Sequence, residues 1–434
     1  MTQHNVFVLG LDMFNRRKLE NTSAASECRF IGLLDPAEIM EADYFPIADM
    51  LERAVAQIEA HDGPPHAVIG YVDFPVSTMI PIIARRFGLR APTLESLLRC
   101  EHKYWSRLVQ REVVAEHVPA FELVDPFGDD PAGALTLDYP FWIKPVKSAG
   151  SFLGFRVDDR AAFDHALATI REHIGIFAEP FDHILAHATL PPAVADVGGH
   201  YCIAESLIGG RQCTLEGYVF DGAVHFHGVI DSIRARDRPT FLRYQYPSRL
   251  PLAVIRRMEA IARTVLAHIE FDQSAFNIEF FWDASADRVW LLEINTRIAQ
   301  HHSDLFEKVD GVSNHEVVVD VALGRAPRFV HGQGEFAHAA CCFLRHYRDG
   351  VVGRVPEAAE IQALAASVPG MIFEPHVEAG TRLSALTHQE TYSYALALLY
   401  LGGDDPQMLR EHYRLCRRTL NFDIRPVANE DTQP

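Results

Sequence analysis

The chain of 434 residues carries 40 Lys and Arg against 58 Asp and Glu, a formal net charge of -18, with 48% hydrophobic and 23% charged residues. That balance is the one a globular protein has, and its acidity argues against non-specific binding to nucleic acid or to an anionic membrane. Any phosphate it binds must be held by a few local cations.

The length is too great for one ordinary core and fits roughly two to four compact units. The seven cysteines are scattered and lack CxxC spacing, which indicates neither a disulfide framework nor a zinc site. Met1 to Asn5 shows no basic region leading into an apolar run, and the late apolar run Tyr394 to Leu401 is far short of the roughly 20 residues of a membrane span. A reducing cytoplasm is the expected compartment.

The first hundred residues alternate strand and helix signals. Val6 to Gly10, Phe30 to Asp35 and Ala67 to Val72 read as buried strands, and helical patterns at Ile47 to Ala60 and Thr78 to Phe87 follow the second and third. A small Rossmann-like unit of parallel strands with crossover helices is expected; it has no GxGxxG after the first strand, so no dinucleotide is assigned there. Thr93 is placed to cap one helix from Leu94 to about Glu116, bounded by Pro92 and Pro119 and carrying Lys103.

Tyr139 to Val146 is a short apolar strand with one lysine, Lys144, between apolar neighbours. A buried ammonium needs an anionic partner, and phosphate is a candidate. The small residues of Lys147-Ser148-Ala149-Gly150-Ser151-Phe152-Leu153-Gly154 suit a loop whose backbone N–H groups approach phosphate oxygens. Ile203 to Gly210 reads as a strand entering a glycine turn. Cys213 to Phe220, Asp221-Gly222 and Ala223 to Ile230 read as a hairpin, and Arg234 to Arg238 as a solvated basic loop.

A helix predicted from Leu252 to Ile269 leads to the most informative stretch. Phe276-Asn277-Ile278-Glu279-Phe280-Phe281 and Val289 to Arg297 are apolar strands joined by the polar Asp283 to Asp287, which predicts a hairpin with Glu279 near Glu293. Side chains alternate along a strand, so Glu293 and Asn295 share a face, as does Arg297 if the extension continues. Two carboxylates and an amide oxygen form a hard oxygen site suited to Mg²⁺, which takes its remaining ligands from water and nucleotide phosphates. Beyond Pro327 the texture changes to short strands such as Phe336 to Leu344, with a closing helical stretch predicted from Glu390 to about Leu420.

In this order the signals resemble the ATP-grasp superfamily, across roughly residues 5–330. The residues that carry the likeness are Lys103, the Phe141-Trp142-Ile143-Lys144-Pro145 strand with its loop, Glu205-Ser206-Leu207-Ile208-Gly209, Asn277-Ile278-Glu279, and Leu292-Glu293-Ile294-Asn295-Thr296-Arg297. Leu215-Glu216-Gly217, Asp221-Gly222 and Tyr246-Pro247-Ser248 look like the L-amino acid ligases and related carboxylate-amine ligases.

The resemblance implies an α/β and α+β architecture: a Rossmann-like domain over 1–115, an ATP-grasp lid subdomain over 116–206, a metal-site subdomain over 207–330 and a C-terminal α+β extension over 331–434. It implies that ATP phosphates meet Lys103, Lys144, Lys147, Ser148, Gly150 and Ser151, and that the adenine meets Glu205, Ser206, Leu207 and Ile208. Mg²⁺ or Mn²⁺ would sit on Glu279, Glu293 and Asn295. Arg297 and Lys144 would be catalytic, and Glu216, Arg297, His301 and His302 would face the substrate.

The chain departs from the family pattern in two places. Gln212 stands where a ribose-binding acid is usual, and Ile298 to His302 replaces the Gly-Gly that commonly follows the Asn-x-Arg signature. The implied activity is ATP-dependent coupling of a small carboxylic or amino acid to an amine, by a protein whose relatives are often homodimers. A phosphotransferase or carboxylase-like enzyme, and a nucleotide-binding regulator without turnover, are the alternatives.

Overall fold

A computed structural model describes residues 3–40, 44–150, 152–235, 240–386 and 393–427. The chain divides into two compact units. The first comprises residues 1–229, 249–300 and 314–329, and the second 230–248, 301–313 and 330–434.

The first unit begins with a parallel three-stranded sheet in the order Cys28–Leu33, His4–Leu9, Pro65–Ile69. Val6 to Leu9 is fully buried, as an uninterrupted apolar run in a parallel sheet should be. The Ile47–Glu59 helix turns Ile47, Met50, Leu51, Ala54 and Ile58 inward at helical spacing. A helix at Met13–Glu20, capped by the Asp12 carboxylate on Asn15 N, also follows the first strand, where none was expected. Its sequence is mostly polar, so periodicity gave little sign of it.

The single helix expected from Leu94 to about Glu116 is two helices, Leu94–Glu101 and Lys103–Val114, parted by His102 in an extended conformation (φ -83°, ψ 97°). His102 Nδ1 accepts the hydrogen bond of Trp105 N at 3.2 Å, and Nε2 donates to Val197 O at 2.9 Å. Burial lowers the pKa of His102, which favours the neutral ring this arrangement requires. The imidazole thus acts as an N-cap, a role seldom given to His and therefore easily missed.

Next in this unit is an antiparallel sheet ordered Phe121–Val124, Cys202–Ser206, Phe141–Pro145, Phe155–Val157. The Arg160–His173 helix packs Phe163, Ala166, Leu167 and Ile170 against it. A further antiparallel set pairs Arg211–Phe220 with Ser274–Asp283, and Ser274–Asp283 with Arg288–Asn295. The Leu252–His268 helix supplies Val254, Met258, Ile261 and Val265 to the core it shares with Cys213, Leu215, Phe276 and Phe280. Asp221 and Gly222 both have positive φ (48° and 77°), the geometry of a two-residue hairpin turn whose twist suits the flanking strands.

In the second unit the antiparallel order is Phe241–Tyr246, His338–His346, Tyr394–Gly403, Ile372–Pro375. The closing stretch expected to be helical from Glu390 to about Leu420 is, over its described residues, a strand followed by a helix. Glu390 lies outside the described residues, Tyr394–Gly403 is a strand buried along almost its whole length, and only Pro406–Thr419 is helical. An apolar run this short fits a buried strand or a buried helix equally well, and pairing with His338–His346 decides for the strand. Among the described residues no helix is long and apolar enough to cross a membrane.

Candidate functional site

In the hairpin of the first unit, Glu279 stands opposite Glu293, and Asn277 opposite Asn295. Directly opposed residues on antiparallel strands have Cβ atoms about 5 Å apart, so the two carboxylates are within reach of one ion. The side chain of Asn295 is ordered by its own Nδ2, which donates to Asn277 Oδ1 at 2.8 Å, while Asn277 Nδ2 donates to Arg297 O at 2.9 Å. No cluster of three or more His, Cys, Asp or Glu side chains forms a metal cage among the described residues. Two carboxylates and one amide oxygen suit Mg²⁺, which retains waters and takes phosphate ligands, better than a metal that needs an all-protein shell.

The break at His102 sets Lys103 at the start of its helix. Lys103 N donates to Val146 O at 2.9 Å, its Nζ donates to Ser148 O at 3.0 Å, and the same ammonium lies 2.7 Å from Glu293 Oε1. Lys103 therefore joins the small-residue loop to the acidic hairpin. Burial pushes the Glu293 carboxyl up, but Lys103 and then Lys144 outweigh it and hold it below the usual carboxylate range.

Lys144 has a protein anion for partner: its Nζ lies 2.8 Å from Glu205 Oε2. Glu205 is 4% exposed and also accepts from Arg107 Nε at 2.5 Å. Burial alone would raise its pKa, but Arg107 and Lys144 bring it down to about 2. Arg107 has further work, donating to Leu291 O (3.2 Å), Leu292 O (2.7 Å) and Gln110 Oε1 (2.6 Å). One buried guanidinium thus fastens the Cys202–Ser206 strand to the acidic hairpin. Leu207, just past that strand, is 36% exposed, and Ser206 N donates to Ala120 O. Gly210 (φ 123°) lies so close to Trp282 that a Cβ there would come 2.3 Å from its carbonyl oxygen.

Lys147 is enclosed. Its Nζ is 3.2 Å from Asp73 Oδ1 and bonded to the Glu101 carboxylate, and Glu101 Oε1 accepts from Thr296 Oγ1 at 2.7 Å. Asp73 Oδ2 in turn accepts from Arg297 Nη2 at 2.9 Å. Burial lowers the Lys147 pKa less than Asp73 and Glu101 raise it, so the ammonium stays charged. Ser148 is buried, Gly150 takes a left-handed conformation (φ 59°), and Ser151 lies outside the described residues.

The remaining assignments fall elsewhere. Gln212 Nε2 donates to Glu279 Oε2 at 2.7 Å. Glu216 is fully enclosed, accepts from Asn314 Nδ2 at 2.9 Å and faces His227 at 3.5 Å. His301 and His302 belong to the second unit, where the Tyr244 ring stacks on His301 (6.2 Å) and meets His302 edge-on (4.7 Å). Of the basic stretch, Arg234 lies over the Phe241 ring at 4.0 Å, and Arg236, Asp237 and Arg238 lie outside the described residues.

Asp73, Glu101, Arg107 and Thr296 were not picked out from sequence. Two of them left a trace. Arg107 lies one helical turn beyond Lys103 on the same face, and Asp73 follows a parallel strand at its carboxyl end, where open α/β sheets place functional side chains. Glu101 and Thr296 gave no signal, because only the tertiary fold brings them to Lys147.

Residues 137–304 match the family model of the ATP-grasp domain. In structure the chain is similar to the L-amino acid ligase from Bacillus licheniformis, with a TM-score of 0.76 and 14% identity over 98% of this chain and 100% of that one. It is also similar to the biotin carboxylase domain dimer of the Hydrogenobacter thermophilus 2-oxoglutarate carboxylase, solved with MgADP, ADP and bicarbonate (TM-score 0.65, 14% identity, 98% of this chain and 92% of that one). In sequence it is 24% identical over 234 residues to urea amidolyase of Saccharomyces cerevisiae. That match takes in 52% of this chain but only 11% of the curated relative's length.

Proposed function

We propose that this chain, whose residues 137–304 match the model of the ATP-grasp domain, is an ATP-dependent, ADP-forming ligase that joins a small carboxylic or amino acid to an amine. The observation that carries this reading is the register of the hairpin, which sets Glu279 against Glu293 beside Asn295 and leads straight into Arg297. Lys103 reaches that site from a second element, and Lys144, paired with Glu205 on a third, is near enough to act on the charge of Glu293.

A carboxylate is a poor electrophile, and its oxygen a poor leaving group. Transfer of the γ-phosphoryl group to it makes an acyl phosphate, which an amine attacks with release of phosphate. Mg²⁺ on Glu279, Glu293 and Asn295 would draw charge off the phosphate oxygens. Lys103 and Lys144 neutralise phosphates as point charges, and Arg297 offers its guanidinium to the acyl phosphate and to the oxyanion formed on attack. The small-residue loop from Lys147 to Gly150, hung from Lys103 and Val146, excludes water from the activated acid. Seven buried free thiols favour a reducing compartment such as the cytoplasm, and a homodimer is the proposed assembly, as the similar biotin carboxylase domain was solved as a dimer.

The test is a panel of acids and amines with MgATP, scored for ADP, phosphate and the mass of an amide product. Amide formed together with ADP and phosphate supports the ligase. A stable phosphorylated or carboxylated product, or binding without turnover, would replace it with one of the other readings.

A further inference from the structure

The carboxylate of Asp73 bridges two cations that the sequence places more than a hundred residues apart. Oδ2 accepts from Arg297 Nη2 at 2.9 Å and Oδ1 lies 3.2 Å from Lys147 Nζ. The group is aimed by its own backbone, since Phe74 N donates to Asp73 Oδ1 at 2.6 Å. Arg297 leaves the hairpin at the end of its strand, where no further ladder holds it. Among the described residues its guanidinium also donates to the carbonyl of Ile298, at 3.2 Å from Nη1, and its buried Nε has no hydrogen-bond partner.

We infer that Asp73, from the loop after the third strand of the N-terminal parallel sheet, is a positioning residue that orients Arg297 toward the anionic group of the reaction. The inference rests on the ligase reading only for the identity of that anion. A planar guanidinium bound through one edge to a fixed carboxylate presents its remaining N–H groups in a fixed direction, which cuts the ordering cost when phosphate arrives. Lys147 retains Glu101 when Asp73 is altered, so the small-residue loop keeps its anchor.

Inorganic phosphate is the probe, its affinity measured by calorimetry on the full chain saturated with MgADP, so that no turnover and no identified acid are needed. Asp73→Asn should weaken phosphate at least about tenfold and leave MgADP affinity within about twofold, with Asp73→Glu recovering part of the loss. In an Arg297→Lys background the same Asp73→Asn change should alter phosphate affinity by less than about twofold, because the residue it positions is already gone.

Equal losses in the two backgrounds, a parallel loss of MgADP affinity, a Glu variant no better than Asn, or a wild-type protein that binds MgADP but not phosphate would each overturn the inference. Melting temperatures establish that the variants fold, and Asp73→Glu, which keeps the charge, carries the comparison if Asp73→Asn does not. The ligase reading fails by a different result, the absence of amide product from every acid and amine pair.

Discussion

Gln212 donates its side-chain amide to Glu279, Nε2 to Oε2 at 2.7 Å. The residue that the resemblance set against ribose is thus bonded to a carboxylate proposed for metal. Gln212→Glu replaces a donor with a second anion in the same place. Two unit charges about 4 Å apart at an effective dielectric of 20 repel by about 4 kcal/mol unless a cation intervenes. The variant should melt several degrees below wild type in EDTA and recover most of the difference in millimolar Mg²⁺. A melting temperature indifferent to Mg²⁺ would remove Glu279 from the metal site.

Glu293→Gln takes from Lys103 its 2.7 Å partner and from the proposed Mg²⁺ one of two charged ligands. Loss of one transition-state electrostatic group commonly costs about 10²- to 10³-fold in rate, and a loss of that size is expected for ATP consumption measured as ADP release. ADP release at the wild-type rate would count against the assignment of this hairpin to metal.

Arg107→Met should destabilise the protein by about 3 kcal/mol, because it strips one of two cations from a buried carboxylate and a donor from two main-chain carbonyls. Denaturant unfolding reads this as a lower midpoint. The change also bears on pH. Glu205 is depressed from about 4.5 to about 2, so its ion pairs contribute stability that is whole above about 4.5 and is lost as pH falls toward 2. Wild type should therefore lose its advantage over Arg107→Met as acid is added across that window.

His315 is buried, and its surroundings push its pKa down to about 3: burial first, then the nearby Lys18, with Glu216 opposing them. Its Nε2 donates to Asn15 Oδ1 at 3.0 Å, and the Tyr71 ring lies beside it. A folded pKa below the unfolded value means that the unfolded chain takes up the proton first. Stability is therefore unaffected above about 6.5 and falls by about 1.4 kcal/mol per pH unit below it, down to about 3. His315→Gln should lose less stability than wild type between pH 7.5 and pH 5.5 in guanidinium melts. An identical loss would show that His315 does not titrate as its burial requires.

Much of the architecture is legible in the chain because it is written in local periods. The strand at Val6, the helix at Ile47, the Asp221-Gly222 turn and the acidic hairpin each have a spacing or a turn chemistry that belongs to one structure alone. A local pattern that fits two structures does not decide between them. Leu94 to Glu116 has helical periodicity throughout, yet the His102 ring, bonded to Val197 O, stops one helix and starts another. Tyr394 to Leu401 is apolar on every face, and only the strand beside it excludes a helix.

What the sequence determines by itself is which residues share a face and in what order the chemistry arrives: Lys103, Lys144, Glu205, Glu279, Glu293, Asn295, Arg297. Which charge answers which is decided by the tertiary structure alone. Lys144 meets Glu205, Lys103 meets Glu293, Lys147 meets Glu101, and Arg297 meets Asp73. Charge pairing acts through space with no preferred separation along the chain, so a pattern of spacings carries no record of it until the strands and helices that bear the charges have packed.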